Sequence, residues 1–162
     1  MPTGAERKMF KAAAYVCGQL NVPVNVHCCP GLRSQVDFFA REKVNPIKIA
    51  FAHPEICCWD DIRYAVGNGF SLNFTNFAGE NVIPEDITVA QIAWLAKAGY
   101  DRQIMISRDF AYFIRGNKLV PHFPHAYDYI FSVVVPKLVS AGVKLSQIER
   151  IFSENTRRYL SF

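Results

Sequence analysis

The sequence lacks the features that mark membrane and secreted proteins. No apolar run approaches the roughly 20 residues that a membrane-spanning helix needs. Residues 1–11 also lack the continuous apolar segment of a signal peptide. We therefore expect a soluble protein of the cytoplasm that neither enters nor lies on a membrane.

Charge is scarce as well. Only 20% of the 162 residues are charged, the net charge is +4, and Lys and Arg are scattered along the chain rather than grouped. Nucleic-acid binding, which draws on a basic stripe, has no support here. Nor does a Gly-rich phosphate-binding motif follow any apolar run, so a nucleotide site is not indicated. The 51% hydrophobic content is high for an isolated domain and hints at an interface.

Cysteine pairs with the spacing of a zinc knuckle or a redox motif are absent. The chain has five cysteines, at Cys17, Cys28, Cys29, Cys57 and Cys58, which form two adjacent pairs and no C-x-x-C. Neighbouring cysteines rarely bridge each other, so this spacing does not match a disulfide framework. Buried free thiols in a reducing compartment are the prediction.

What the chain does contain is a regular alternation of helices and apolar strands. Amphipathic or capped segments predict helices over 5–20, 32–44, 59–66, 88–98, 129–141 and 148–160, and apolar runs predict strands over 22–28, 47–52, 70–77 and 104–109. Thr88 with Gln91, and Ser146 with Glu149, have the spacing of capping boxes. One α/β domain over residues 1–162 follows, with parallel strands in either an open doubly wound sheet or part of an eight-stranded barrel.

Three of the predicted strands end at, or within one residue of, a polar residue that suits metal chemistry. These residues are His27, His53 and Asp109. If the strands are neighbours and parallel, the three side chains meet at one rim of the sheet and can share a metal ion. Taken singly, each histidine also fits a hydrogen-bonded structural role, and Asp109 fits a helix cap. Glu55, two residues after His53, is either a partner of that histidine or a solvated side chain.

The order of these motifs resembles the phosphotriesterase-related branch of the amidohydrolase superfamily. The resemblance covers nearly the whole chain, and the ordered combination is more specific than any one piece. The matching segments are E-R-K-M-F-K-A-A-A at 6–14, P-V-N-V-H at 23–27, A-H at 52–53, G-Y-D-R-Q-I-M-I-S-R-D at 99–109, V-P-K-L-V-S-A-G-V at 135–143 and I-E-R-I-F-S-E-N at 148–155.

The resemblance implies a zinc-type hydrolase on a TIM barrel, with two divalent metals bridged by a hydroxide. His27 and His53 match the family's metal-ligand histidines of the fifth and sixth strands. Asp109 matches the eighth-strand aspartate, which binds metal and accepts the proton of the attacking water. The implied substrates carry an ester, lactone or amide-like bond. His27, His53 and Asp109 alone are also enough to hold one metal with open positions for water.

The match is to the second half of the barrel. The family takes an H-x-H pair from its first strand and a bridging lysine or glutamate from its fourth, and this sequence begins after both. We expect one helix, four strand-helix units and a closing helix, with open sheet edges that favour self-association or a complementing chain. An open α/β sheet and a truncated product are the other possibilities. A catalytically inactive half-barrel that acts as an interaction or regulatory protein is the alternative to the hydrolase.

The long aromatic segment after the fourth strand is predicted to overhang the rim. Tyr112, His122, His125 and Tyr127 lie in it and are the candidates for substrate binding, with ordinary loop packing as the competing interpretation. The spacing of His122 and His125, H-x-x-H beyond the last strand, does not replace the family's H-x-H pair.

Overall fold

A four-stranded parallel sheet lies at the centre of the protein. The computed structural model describes residues 3–28, 31–75, 77, 83–109 and 128–161. The strands are β1 (Val24–His27), β2 (Ile49–Ala52), β3 (Ser71–Phe74) and β4 (Ile104–Ile106), and each pairs in parallel with the next one in chain order. This arrangement confirms the predicted α/β fold of consecutive strand-helix units.

Helices precede, connect and follow these strands. They are α1 (Gly4–Leu20), α2 (Leu32–Arg41), α3 (Trp59–Gly67), α4 (Glu85–Lys97), α5 (Val135–Ser140), α6 (Leu145–Glu149) and α7 (Asn155–Leu160). A π-helical turn, Ile130–Val134, leads into α5, and a second, Arg150–Glu154, joins α6 to α7 without a break. Short 3-10 helices lie at Pro46–Lys48, Pro54–Ile56 and Asp101–Gln103. In the described part of the chain, no helix combines the length and apolarity that crossing a membrane requires.

The register of the sheet separates two kinds of side chain. Residues that alternate along each strand point to opposite faces. One face packs against the helices and is apolar throughout, with Val26, Ile49, Phe51, Leu72, Phe74 and Ile104 all in the buried core. The register aligns the residues of the other face, which are mostly small or polar: Asn25, His27, Ala50, Ala52, Ser71, Asn73 and Met105. The polar side chains of the strands therefore lie on the face away from the helices.

Both predicted capping boxes are wrong. Helix α4 begins at Glu85, one residue after Pro84, so Thr88 lies inside the helix and is buried. Helix α6 begins at Leu145, and the side chain of Gln147, not of Glu149, accepts a hydrogen bond from the Lys144 backbone N–H at 3.1 Å. Proline fixes φ and lacks an N–H, which suits the start of a helix. For α4, the helix therefore begins after Pro84 rather than at the capping-box spacing of Thr88 and Gln91.

The C-terminal helices are fastened to the start of β4 by a buried amide. Asn155 is 3% exposed, and its Nδ2 donates to the carbonyl oxygens of Asp101 and Ile104, each at 2.7 Å. The Arg150 guanidinium forms an ion pair with Asp101 beside it. Asn155 ends the I-E-R-I-F-S-E-N motif, so the structure supplies a packing reason for a residue that the sequence marked only by resemblance.

Replacing Asn155 by Ala is expected to lower the free energy of unfolding by about 2–3 kcal/mol, because two buried carbonyl oxygens lose their donor. Chemical denaturation followed by circular dichroism measures this loss. Ser153→Ala, an exposed position in the same helical segment, is the control and should change stability by less than about 0.5 kcal/mol. Equal stability of the Asn155 variant and the wild type would show that these two hydrogen bonds do not stabilise the fold.

Candidate active site at the carboxyl ends of the strands

The structure brings two of the predicted site residues to hydrogen-bonding or ligand distance, with the third beside them. His27 is the last residue of β1, His53 follows β2, and Asp109 lies three residues after β4. The imidazole centroids of His27 and His53 are 4.6 Å apart. His53 Nε2 lies 3.4 Å from Asp109 Oδ2. Residues from three separated strand ends therefore share one rim, as parallel strands require.

The backbone turns sharply at two of these residues. His53 has φ 61° and Asp109 has φ 48°, both in the left-handed region that residues with a side chain seldom adopt. At His53 the chain turns out of β2 into the 3-10 helix Pro54–Ile56. Strained backbone of this kind is typical of positions where a side chain must be aimed. Here it aims both side chains at each other across the width of the sheet.

The second ring nitrogen of His53 is held by a buried hydrogen-bond chain. The hydroxyl of Thr75, the residue after β3, lies 2.7 Å from His53 Nδ1 and donates to Glu55 Oε1 at 3.1 Å. Because the hydroxyl donates its only proton to Glu55, its oxygen can accept a hydrogen bond from the His53 Nδ1–H. On this basis we assign His53 to the tautomer whose Nε2 carries a lone pair, the form in which imidazole binds metal.

Glu55 is the buried end of this chain. Its side chain is fully buried, and burial raises the pKa of the carboxyl. Its Oε1 also lies 3.5 Å from His53 Nδ1, while Oε2 has no hydrogen-bond partner within the described residues. The solvated alternative for Glu55 is therefore wrong, and the partner interpretation is right. Thr75 was missed at the sequence level, and its position directly after the third strand was the signal that could have found it.

The atoms at the rim suit a cation, although a complete ligand group is not formed. A tetrahedral zinc ion with bonds near 2.0–2.1 Å holds neighbouring ligand atoms about 3.3–3.4 Å apart. His53 Nε2 and Asp109 Oδ2 have this spacing. A lone pair and a carboxylate oxygen at this distance repel each other unless a cation or a proton lies between them. Across the ranges that the structure describes, however, no three His, Cys, Asp or Glu side chains are grouped to hold a metal ion.

Two cysteines line the same rim. Cys28 directly follows His27, and its Sγ donates to the Ala52 carbonyl oxygen at 2.8 Å and lies 3.5 Å from Cys57 Sγ. The side-chain contact with Cys28 lowers the pKa of Cys57. Cys17, Cys28, Cys57 and Cys58 are all free thiols, as predicted, but only Cys17 and Cys28 are buried. The expected burial is wrong for Cys58, which is exposed, and Cys57 is partly exposed. Cys29 lies outside the described residues.

The predicted substrate-binding residues fall outside the described part of the chain. Tyr112, His122, His125 and Tyr127 all lie within 110–127. Their role stays a prediction.

Comparison with known proteins identifies the family of this chain. The model of the phosphotriesterase family matches residues 1–160. This chain belongs to the phosphotriesterase family. Its curated relatives include the N-acetyltaurine hydrolases of Salmo salar and Xenopus tropicalis, 24% and 23% identical over 99% of this chain and 49% of each relative. The chain thus spans about half the length of the curated relatives it matches.

Solved structures of the family share its fold. The phosphotriesterase homology protein of Escherichia coli, complexed with phosphate in its active site, superposes with a TM-score of 0.83 at 21% identity, over 98% of this chain and 55% of that one. The organophosphorus hydrolase of Deinococcus radiodurans superposes with a TM-score of 0.87 at 20% identity, over 98% and 52%. Their barrels have the predicted TIM architecture, of which the four strands described here correspond to about half.

Replacing Thr75 by Val should lower the free energy of unfolding by about 1–3 kcal/mol, because the buried Glu55 carboxyl loses its donor. Thermal and chemical unfolding measure the loss, and Thr75→Ser, which keeps the hydroxyl, should restore most of it. In the wild type, long-range proton-nitrogen NMR correlations should show neutral His53 protonated on Nδ1. A ring protonated on Nε2 would contradict the hydrogen-bond chain.

Proposed function

We propose that this chain carries part of the metal centre of a phosphotriesterase-family hydrolase. In this proposal His27, His53 and Asp109 hold a divalent metal, most simply zinc. The observation that carries it is the 3.4 Å approach of His53 Nε2 to Asp109 Oδ2, with Nδ1 already fixed by Thr75. Two neutral imidazoles and one carboxylate leave most of the metal's charge available, which is the donor chemistry of catalytic zinc sites.

The residues of this chain have distinct parts in the proposed hydrolysis. A bound divalent metal supplies Lewis acidity and lowers the pKa of water. Thr75 and Glu55 keep the lone pair of His53 Nε2 directed at the rim. The Asp109 side chain is 66% exposed, and its Oδ2 lies 3.4 Å from His53 Nε2. In this proposal its carboxylate accepts a proton from the attacking water. As the scissile bond breaks, that proton would pass from Asp109 to the leaving group.

The bond to be hydrolysed is an ester, lactone or amide. The names of the relatives and neighbours support this class, since they include N-acetyltaurine hydrolases and an organophosphorus hydrolase. Within this proposal Tyr112, His122, His125 and Tyr127 select the substrate. The cytoplasmic location expected from the sequence stays a prediction.

One observation favours the inactive alternative, a half-barrel that acts by binding another protein. Within the described residues the metal donors do not form a complete group of three. A site of this kind needs further ligands at the same rim. We therefore propose a complementing chain as the partner of this one, rather than activity from these residues alone.

The edge of the sheet at β1 supports that partner. β1 is an end strand of the four, and a groove of about 490 Å³ runs beside it, bordered by Met9, Phe10 and Ala13 of α1. Met9 is 69% exposed, and Asn25 of β1 is exposed too. A strand added here gains backbone hydrogen bonds from β1 and apolar contacts from α1.

The direction of that strand decides between partners. Pairing of β1 with β1 of a second copy about a two-fold axis is antiparallel, so the two rims would lie at opposite ends. A parallel strand from a complementing chain ends at the rim of His27 and His53, where it can present further ligands.

The metal proposal predicts that the wild type binds zinc in stoichiometric amount and that His53→Ala and Asp109→Ala weaken this binding at least about 100-fold. Mutation of a residue that only hydrogen-bonds to a metal ligand typically lowers metal affinity 10–100-fold, so the loss of a direct ligand should lower it at least as much. Competition with a chromophoric chelator measures the affinity. Glu42→Ala, an exposed acid after α2, is the control and should bind as the wild type does. Absence of zinc binding in the wild type would favour the inactive half-barrel.

The partner proposal predicts a one-to-one complex when this chain is co-expressed with the part of the Salmo salar N-acetyltaurine hydrolase that it does not cover. The Cys28 N–H donates toward β2, so by alternation the Asn25 N–H points to the open edge. Asn25→Pro removes that donor without touching the β1–β2 ladder and should abolish the complex, whereas Asn25→Ala should keep it. Sedimentation velocity measures both, and a stable homodimer in place of the complex would contradict the proposal.

A further inference from the structure

We propose that Cys28 and Cys57 form an oxidation site that closes to a disulfide across the rim. Their Sγ atoms are 3.5 Å apart although the residues are 29 positions apart in the chain. The two thiols come from neighbouring segments, because Cys28 directly follows β1 and Cys57 directly follows the 3-10 helix after β2. This proposal is independent of the proposed hydrolase function.

The distance makes the bond accessible with little movement. A disulfide has an S–S length of about 2.05 Å, so the sulfur atoms need to approach by about 1.5 Å in total. Cys57 Sγ faces the Cys28 and His53 carbonyl oxygens only at 3.9 Å each, which leaves it free to move toward Cys28. Cys28 is held more firmly, by its 2.8 Å hydrogen bond to Ala52.

Exposure assigns the order of events. Cys57 is partly exposed and Cys28 is fully buried, so a small oxidant from solvent meets Cys57 first. With hydrogen peroxide as the oxidant, the Cys57 sulfur attacks one peroxide oxygen, the O–O bond breaks, and a sulfenic acid and one water result. The Cys28 sulfur then attacks the Cys57 sulfur, the S–O bond breaks, and the Cys28 proton leaves with the hydroxyl as a second water. Two electrons pass from the sulfur atoms to the peroxide oxygens.

A disulfide at this position would connect the ends of β1 and β2. It would join Cys28, the residue after His27, to Cys57, which lies four residues after His53. Closing a loop of this length also restricts the unfolded chain, so oxidation should raise the midpoint of thermal unfolding by on the order of 5 °C. A thiol reductant should reverse the change.

The test is treatment of the purified, metal-free wild type with one equivalent of hydrogen peroxide, followed by trypsin digestion without reduction and mass spectrometry. Trypsin leaves Cys17, Cys28 and Cys29 in residues 12–33, and Cys57 and Cys58 in residues 49–63. The expected product is these two peptides joined, with the loss of two hydrogen atoms.

Single variants assign the bond. Cys28→Ser and Cys57→Ser should abolish the joined peptide, whereas Cys29→Ser, Cys58→Ser and Cys17→Ser should keep it. If the link survives Cys28→Ser but not Cys29→Ser, or if the thiols gain oxygen without joining, the proposal is wrong. The joined peptide is measured in the wild type itself, so the proposal remains testable even if one variant does not fold.

Discussion

The candidate site depends on how one imidazole is held. His53 is approached from both sides of its ring, by the Thr75 hydroxyl and the buried Glu55 at Nδ1 and by Asp109 at Nε2. The left-handed backbone at His53 and Asp109 points their side chains toward each other rather than along the strands. The ends of β2, β3 and β4 therefore act together, although no two of these four residues except His53 and Glu55 are near in sequence.

The sheet supports this arrangement by dividing its faces. Large apolar side chains on the helix-facing side supply the core, so the other face is free to carry Asn25, His27 and Asn73. Parallel strands with both faces covered usually read as continuous apolar runs. On the face away from the helices, Asn25 and His27 of β1 are exposed and Asn73 of β3 is partly exposed, so this face of the sheet is not fully covered. In the proposed complex, the open edge at β1 is where a strand of the partner would pair.

Much of the fold followed from the sequence because its signals are local. The helix over 5–20, the position of all four strands and the strand-ending histidines were predicted from periodicity and punctuation alone, and the structure agrees with them. Strand lengths were overestimated, since Pro46–Lys48 forms a 3-10 helix before β2 and apolar runs do not show where ladder pairing stops. The two capping boxes failed because a spacing of three residues is common, and only the helix start decides whether it is used.

The sequence by itself determined the residue types and the order in which they arrive at the rim: two imidazoles and a carboxylate, each at the end of an apolar run. The tertiary structure decided which atoms meet. It placed Thr75 between His53 and Glu55, brought Cys28 to Cys57, and gave Asn155 its two carbonyl partners. These contacts join residues from 20 to 54 positions apart. Such distances are set by the packing of parallel strands and their crossover helices, and no local pattern in the chain encodes them.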